Sequence, residues 1–318
     1  MGPAYMNGET ALYLAHLALA LLLAPLLPGI INRVKAIFAG RRGRPLLQTY
    51  HDLAKLLRKG EVISQTTTWV FTTGPCVSLA AAACALALLP LGGTASPLAF
   101  AGDFMLAACL LGVGRFAIVL AALDTGSPFE GMGASREASL SALAEPALFL
   151  GIMVLAATSM ALDGTFENAF SLSTLLSGQT AEAWMTGRGE LLLLPMIFFL
   201  LLLVENCRIP VDDPNTHLEL TMIHEVMVLD HSGPGLALIL YGTALKLWFF
   251  SALVAGLVMP DLPAWQKVGA HLALVLLLAV ATGIVESAMA RLRMERVPLL
   301  LGGAAAMSGL ALLLSLMR

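Results

Sequence analysis

Apolar residues run along this chain in eight long blocks, at about 10–31, 70–91, 98–123, 142–162, 190–206, 235–259, 266–290 and 297–317. Each is near the length of about 20 residues that a helix needs to cross a hydrocarbon core. The first block has no basic stretch ahead of it and no small-residue cleavage site before Asn32 and Arg33, so it reads as a retained helix and not as a secretory leader. Segment 45–60 has a different pattern. Leu46, Leu47, Leu53, Leu56 and Leu57 are interleaved with Gln48, Asp52, Lys55, Arg58 and Lys59, which predicts an amphipathic helix at the membrane interface or against a partner. The expected fold is an all-α polytopic membrane protein of about eight transmembrane helices plus cytoplasmic amphipathic helices. With no inverted repeat or low-complexity tract beyond alanine and leucine bias, 1–318 reads as a single membrane domain.

Basic residues sort the polar segments into two sides. Of the 18 Lys and Arg, thirteen fall after the first, third, fifth and seventh blocks, eight of them between Arg33 and Lys59; only Arg188, Lys267 and Arg318 lie on the other side. Such an excess marks the cytoplasmic side. Loops 32–69, 124–141, 207–234 and 291–296 are therefore expected in the cytoplasm, with both termini outward.

Composition narrows the class. Of the 318 residues, 58% are hydrophobic and 12% charged, and the mean hydropathy is +0.85, against roughly 25% charge in a soluble domain. A soluble enzyme is excluded. The net charge of −3 offers no basic surface for nucleic acid. The four cysteines, Cys76, Cys84, Cys109 and Cys207, are no closer than eight residues apart, whereas zinc and iron–sulfur motifs set thiolates roughly two to four residues apart. They read as small apolar packing residues, and neither a metal, a cluster nor a disulfide framework is expected in this chain.

Ionisable residues in or beside the apolar blocks are the functional candidates. A charge at a helix centre costs about 2.5–3.5 kcal/mol on insertion scales, so it must face protein or water. Arg115, Glu205, Lys246 and Glu286 lie within blocks, and Glu145 stands before Pro146 close to the membrane surface. Arg115 could pair with Glu145 or Asp124, and Lys246 with Glu205 or Glu286. Loop 124–141 adds Arg136 and Glu137. The densest polar stretch is 205–234, with Arg208, Asp212 and Asp213 ahead of Pro214. A helix from about 214 to 230 would bring His217, His224 and His231 near one face, with Glu219 and Glu225 elsewhere on it, and Gly233 and Pro234 would end it. Metal pairs on a helix need spacing of about three or four, so no metal site is expected there. A water-linked relay of histidines and carboxylates accounts for these residues, as does a polar helix docked against a soluble partner.

These motifs resemble a known family. Arg41-Arg42-Gly43-Arg44-Pro45 with the Gln48–Lys55 segment, Gly133-Ala134-Ser135-Arg136-Glu137 with Glu145, and Arg208-Ile209-Pro210 with Asp212, Leu218-Glu219-Leu220 and Ser232-Gly233 resemble the quinone-chamber subunit of respiratory complex I and its relatives in membrane-bound group 4 nickel-iron hydrogenases. The Glu205–Pro214 and Asp124–Phe129 stretches are similar to the hydrogenase-4 and formate hydrogenlyase branch. The resemblance implies an eight-helix subunit of the prokaryotic cytoplasmic membrane. It would anchor the hydrogenase large and small subunits and iron–sulfur subunits on its cytoplasmic loops, and link electron transfer to proton movement through neighbouring antiporter-like subunits. The nickel-iron centre and iron–sulfur clusters are then expected in partners, with no cofactor and no catalytic residue in this chain. On the matching positions, Arg136, Glu137 and Glu145 form the polar cluster of the second loop, and Arg208, Asp212, Asp213 and Glu219 that of the third. The complex I version carries glutamates where Asn215 and His217 stand here, a departure that counts against a bound quinone. The expected proton-coupling set is thus Arg115, Asp124, Arg136, Glu137, Glu145, Glu205, Arg208, Asp212, Asp213, His217, Glu219, His224, Glu225, Lys246 and Glu286. The alternatives are a quinone-chamber subunit of a complex I-like NADH dehydrogenase and an independent secondary transporter. Large polar loops and the missing repeat count against the transporter.

Overall fold

Bilayer-length apolar runs leave backbone polar groups no partners except one another, so they fold as helices. The computed structural model describes residues 3–163, 170–176, 189–213, 221–260 and 262–317, and among them there is no β-strand. The helices are α1 (Pro3–Leu23), α2 (Leu26–Phe38), α3 (Gln48–Leu57), α4 (Trp69–Leu88), α5 (Asp103–Asp124), α6 (Pro128–Asp163), the single turn α7 (Leu172–Leu175), α8 (Leu193–Glu205), α9 (Gly233–Val258), α10 (Ala264–Ala288) and α11 (Val297–Leu316).

Six of these, α4, α5, α6, α9, α10 and α11, are long and apolar enough to cross a membrane, and α1 with α2 makes a seventh bent by 49°. The bend falls at Ala24-Pro25, inside the first expected block, where proline removes a donor and crowds the preceding turn. The expected span at 190–206 is instead a 13-residue apolar helix, α8, entered through a 3-10 turn over Gly189–Leu192. The chain is thus an all-α multi-pass membrane protein with six or seven bilayer-length spans by length and composition.

Two expectations for the polar segments are overturned. The expected loop 124–141 is helical from Pro128, and α6 runs 36 residues, carrying Arg136, Glu137 and Glu145 on one rod. Gly133 looks like a loop signal but serves close packing. A Cβ on Gly133 would stand 2.9 Å from Met227 Cγ and 3.0 Å from the Ile223 carbonyl. The expected helix over 214–230 is also absent where it is described: residues 214–220 lie outside the described residues, and 221–230 hold only a 3-10 turn at Glu225–Val228. The reason is Asp212, whose Oδ2 accepts from the N–H groups of Ile223 (2.9 Å) and His224 (3.4 Å) and so draws the backbone around a carboxylate. Gly233 and Pro234 begin α9 instead of ending a helix. His224 and His231 therefore do not share a helical stripe, and His217 lies outside the described residues.

The polar ends of the spans gather at one end of the bundle. Lys35 after the middle of α2 reaches Glu286 near the end of α10, and Asp124 at the end of α5 caps the start of α4. The Val62 N–H donates to Ser232 Oγ at the head of α9 (3.1 Å), and Arg291 reaches Asp212. Small residues allow the spans to approach closely, as TM helices require. A Cβ on Gly74 of α4 would meet the Ala117 carbonyl of α5 at 2.9 Å.

Candidate functional site

The guanidinium of Arg115, past the middle of α5, meets three carboxylates. Nη2 is 2.6 Å from Glu205 Oε2 at the end of α8, Nη1 is 3.3 Å from Glu145 Oε1, and Nε is 3.5 Å from Glu137 Oε1. Lys246 on α9 stands 2.9 Å from the same Glu205 oxygen. Glu205 thus bridges two cations, and each charge offsets the hydration its neighbours lose on burial. The side chains of Arg115, Glu205 and Lys246 are 11%, 7% and 18% exposed, whereas that of Glu145 is 50% exposed and ends the row on the outside of α6.

A second group lies nearer the polar end. The Glu286 side chain is fully buried, with Oε2 2.7 Å from Lys35 Nζ and Oε1 3.4 Å from Arg208 Nη1. Asp213 lies 3.9 Å from Lys35, and Asp212 pairs with Arg291 at 2.9 Å.

A cavity of about 240 Å³ joins the two groups. Pro28, Asn32, Thr49 and Asp52 of α2 and α3 wall one side; Arg208, Asp212, His224 and Glu225 wall another; Glu205 and Lys246 stand in its wall as well. Beyond them, a space of about 40 Å³ is lined by Arg115, Glu137, His224 and Lys246, and one of about 10 Å³ by Glu137, Glu205 and Cys207. The larger of these has room for water with several polar partners. Titratable groups and room for water thus adjoin one another from the chamber to Glu137.

Not every expected residue joins. Asp124 does not reach Arg115; it caps α4, accepting from the N–H groups of Thr68 (2.7 Å) and Phe71 (3.2 Å). Arg136 donates to the Met222 carbonyl (2.8 Å) and pins the 221–228 turn onto α6. Lys246 pairs with Glu205, while Glu286 takes Lys35 and Arg208. Glu219, like His217, lies outside the described residues.

Sequence reasoning passed over Lys35 and Arg291, which count there only as loop charges, because no spacing discloses a partner on a distant helix. It also passed over Glu130, wholly buried on α6 with Oε1 accepting from the Asp230 N–H (3.0 Å). Cys207 is the fourth omission. Its Sγ lies 3.9 Å from Glu137 Oε2, and burial, with the carboxylates of Glu137 and Asp212, pushes its thiol well above the usual range.

Compensated charges at bilayer depth around an internal chamber define a multi-pass membrane protein organised about a buried electrostatic network. The chain belongs to the NADH dehydrogenase family, which includes complex I subunit 1 and whose profile matches residues 10–316. It is 34% identical over 247 residues to hydrogenase-4 component C of Escherichia coli strain K12, covering 78% of this chain and 74% of the relative. It is 31% identical over 288 residues to formate hydrogenlyase subunit 4 of the same organism, covering 86% and 88%. Its fold is similar to a chain of the membrane-bound sulfane sulfur reductase, an archaeal respiratory membrane complex, with a TM-score of 0.77 at 20% identity over 97% of this chain and 99% of the other.

Proposed function

We propose that this chain is the membrane subunit of a group 4 nickel-iron hydrogenase complex of the hydrogenase-4 or formate hydrogenlyase type, and that its buried charges couple redox chemistry in docked partners to proton movement. The observation that carries this reading is the unbroken series Lys246–Glu205–Arg115–Glu145, which leads from the chamber to the outside of α6. Two unit charges about 4 Å apart interact by about 4 kcal/mol at an effective dielectric constant of about 20, so a charge change at one member alters the proton affinity of the next. A protonation event in the chamber near Glu205 and Lys246 thereby weakens or strengthens the hold of Arg115 on Glu145. A neighbouring antiporter-like subunit on that face of α6 would receive the change.

The identity to two hydrogenase-type relatives supports this class. The positive-inside excess supports placing the chamber end in the cytoplasm, where the hydrogenase large, small and iron–sulfur subunits would dock and supply the nickel-iron centre and clusters. The test is the whole complex carrying Glu145→Gln or His224→Gln. We expect normal assembly on a native gel and normal nickel content, with proton translocation in proteoliposomes down at least about tenfold. Loss of the assembled complex in proportion to activity would show that these residues only hold the protein together.

A second reading, a quinone head in the chamber, rests on the apolar wall that Pro28, Val228, Ile239 and Leu240 give to the 240 Å³ cavity. Solvent extraction of the purified complex decides it: stoichiometric quinone would replace the hydrogenase reading of the chamber.

A further inference from the structure

We propose that Glu137, Cys207 and His224 form a binding site for a thiophilic divalent cation of the zinc type. Their ligand atoms all lie within 4.8 Å of one another although they come from α6, the turn after α8 and the 3-10 segment before α9. A tetrahedral zinc site with bonds of about 2.0–2.3 Å sets its donors about 3.5 Å apart, so side-chain rotation of an ångström or so closes the site. Helical spacing cannot reveal it, which is why the sequence alone points away from metal.

Two further observations point to a ligand. The Nε2 of His224 is buried and finds no hydrogen-bond partner among the described residues, so no protein group there competes with a cation for it. Cys207 is the one non-glycine among the described residues with positive φ, at 48°, a conformation that costs an L-residue energy and is kept where geometry demands it. The oxygens of Glu137 are divided between two tasks: Oε1 faces Arg115 and Oε2 faces Cys207 Sγ. The three residues also sit where the cavities meet. Cys207 and His224 line the large chamber, His224 and Glu137 the 40 Å³ space, and Glu137 and Cys207 the smallest one. An ion can therefore enter from the chamber and keep a water as its fourth ligand.

The donor set fits the charge. One thiolate, one carboxylate and a neutral imidazole neutralise a dication, and this mixture of sulfur, nitrogen and oxygen suits zinc or cobalt rather than magnesium or calcium, which take oxygen. Binding proceeds as M²⁺(aq) plus Cys207–SH giving M²⁺–S–Cys207 and one H⁺, with bound waters released and no change of oxidation state. The site stands independently of the proton-coupling reading.

The test is cobalt titration of the full-length chain, purified in mild detergent, with Cys76, Cys84 and Cys109 replaced by serine so that Cys207 is the sole thiol. We expect one equivalent of Co²⁺ with a thiolate-to-cobalt absorption band, release of one proton and displacement by Zn²⁺. His224→Gln, which keeps the thiol, and Glu137→Gln should each weaken binding at least about tenfold, since even second-layer changes at metal sites cost about 10–100-fold. Cys207→Ser in a protein of unchanged helical circular dichroism should abolish the band. Absence of the band in the folded sole-thiol protein, its survival in Cys207→Ser, or unchanged affinity in both His224→Gln and Glu137→Gln would overturn the site. The readout is binding, so failure of coupling in the complex and failure of the site are seen separately.

Discussion

The two ends of the helix bundle bury polar groups by opposite means. At the chamber end, charges are buried as charges: Arg115 and Lys246 share Glu205, and Lys35 and Arg208 share Glu286. At the other end, buried polar groups are tied to fixed local partners. The Tyr13 hydroxyl donates to the Ala87 carbonyl (2.5 Å), and Asp103 accepts from Ser171 Oγ (2.9 Å) and the Leu172 N–H (2.7 Å). A network whose members share partners responds to a charge change anywhere in it, whereas a carboxylate capping one turn holds that turn. On the proposed reading, the difference assigns response to one end and closure to the other.

The strongest way to break this comparison is Glu205→Gln. It leaves Arg115 and Lys246 facing each other without their common anion, and removing one partner of a buried pair costs about 3–5 kcal/mol. Assembly measured on a native gel should collapse. Adding Lys246→Met should restore assembly but not proton translocation, because stability returns with neutrality and response does not. Recovery of both would show that the network is structural glue like the far end. Next in size, Asp103→Ala strips the partner from the buried donors of Ser171 and Leu172, at about 1–3 kcal/mol. The melting temperature of the complex should fall while protons translocated per turnover stay constant; a change in that ratio would erase the distinction between the ends.

A smaller effect separates the network from charges that merely lie at the same end. Asp124 caps α4 from the end of α5 and touches no cation of the network. Asp124→Ala should cost about 1 kcal/mol, as loss of a helix cap does, with unaltered translocation per turnover. Loss of translocation in stable protein would extend the network to α5's end.

How much of this was legible in the sequence follows from what each signal reports. Apolar length located α4, α5, α9, α10 and α11 within a few residues, because bilayer thickness imposes it on the chain directly. The Arg115–Glu145 and Lys246–Glu205 pairs stood among the expected alternatives, since charges inside apolar runs must find one another. What failed was local grammar under tertiary control. Gly133 looked like loop and is helix, because the turn at 223–227 packs against it. Residues 221–230 looked like the later turns of a helix, but Asp212 holds Ile223 and His224 instead. Lys35, Arg291 and Cys207 were unreadable because their partners lie 70 or more residues away or on another element, and chain spacing carries no record of that.

The last and smallest effect comes from His231, which sits at the responsive end yet is buried as a neutral group. It stacks on Phe71 with centroids 4.0 Å apart and planes 7° from parallel, and burial lowers its pKa from the ordinary 6.5 to about 4, against the opposing pull of Asp230. In the unfolded chain the imidazole takes up a proton near pH 6.5, while in the folded protein it does so only near pH 4. Its contribution to stability is therefore complete above about pH 6.5 and is lost as pH falls from there towards 4. His231→Phe keeps the stack on Phe71 and removes the proton site. We expect wild-type and variant to melt alike at pH 7.5 and the wild-type to melt lower at pH 6.0, by less than the Asp124→Ala shift. Equal acid sensitivity in the two would mean that His231 is charged within the fold, and that the responsive end extends to the head of α9.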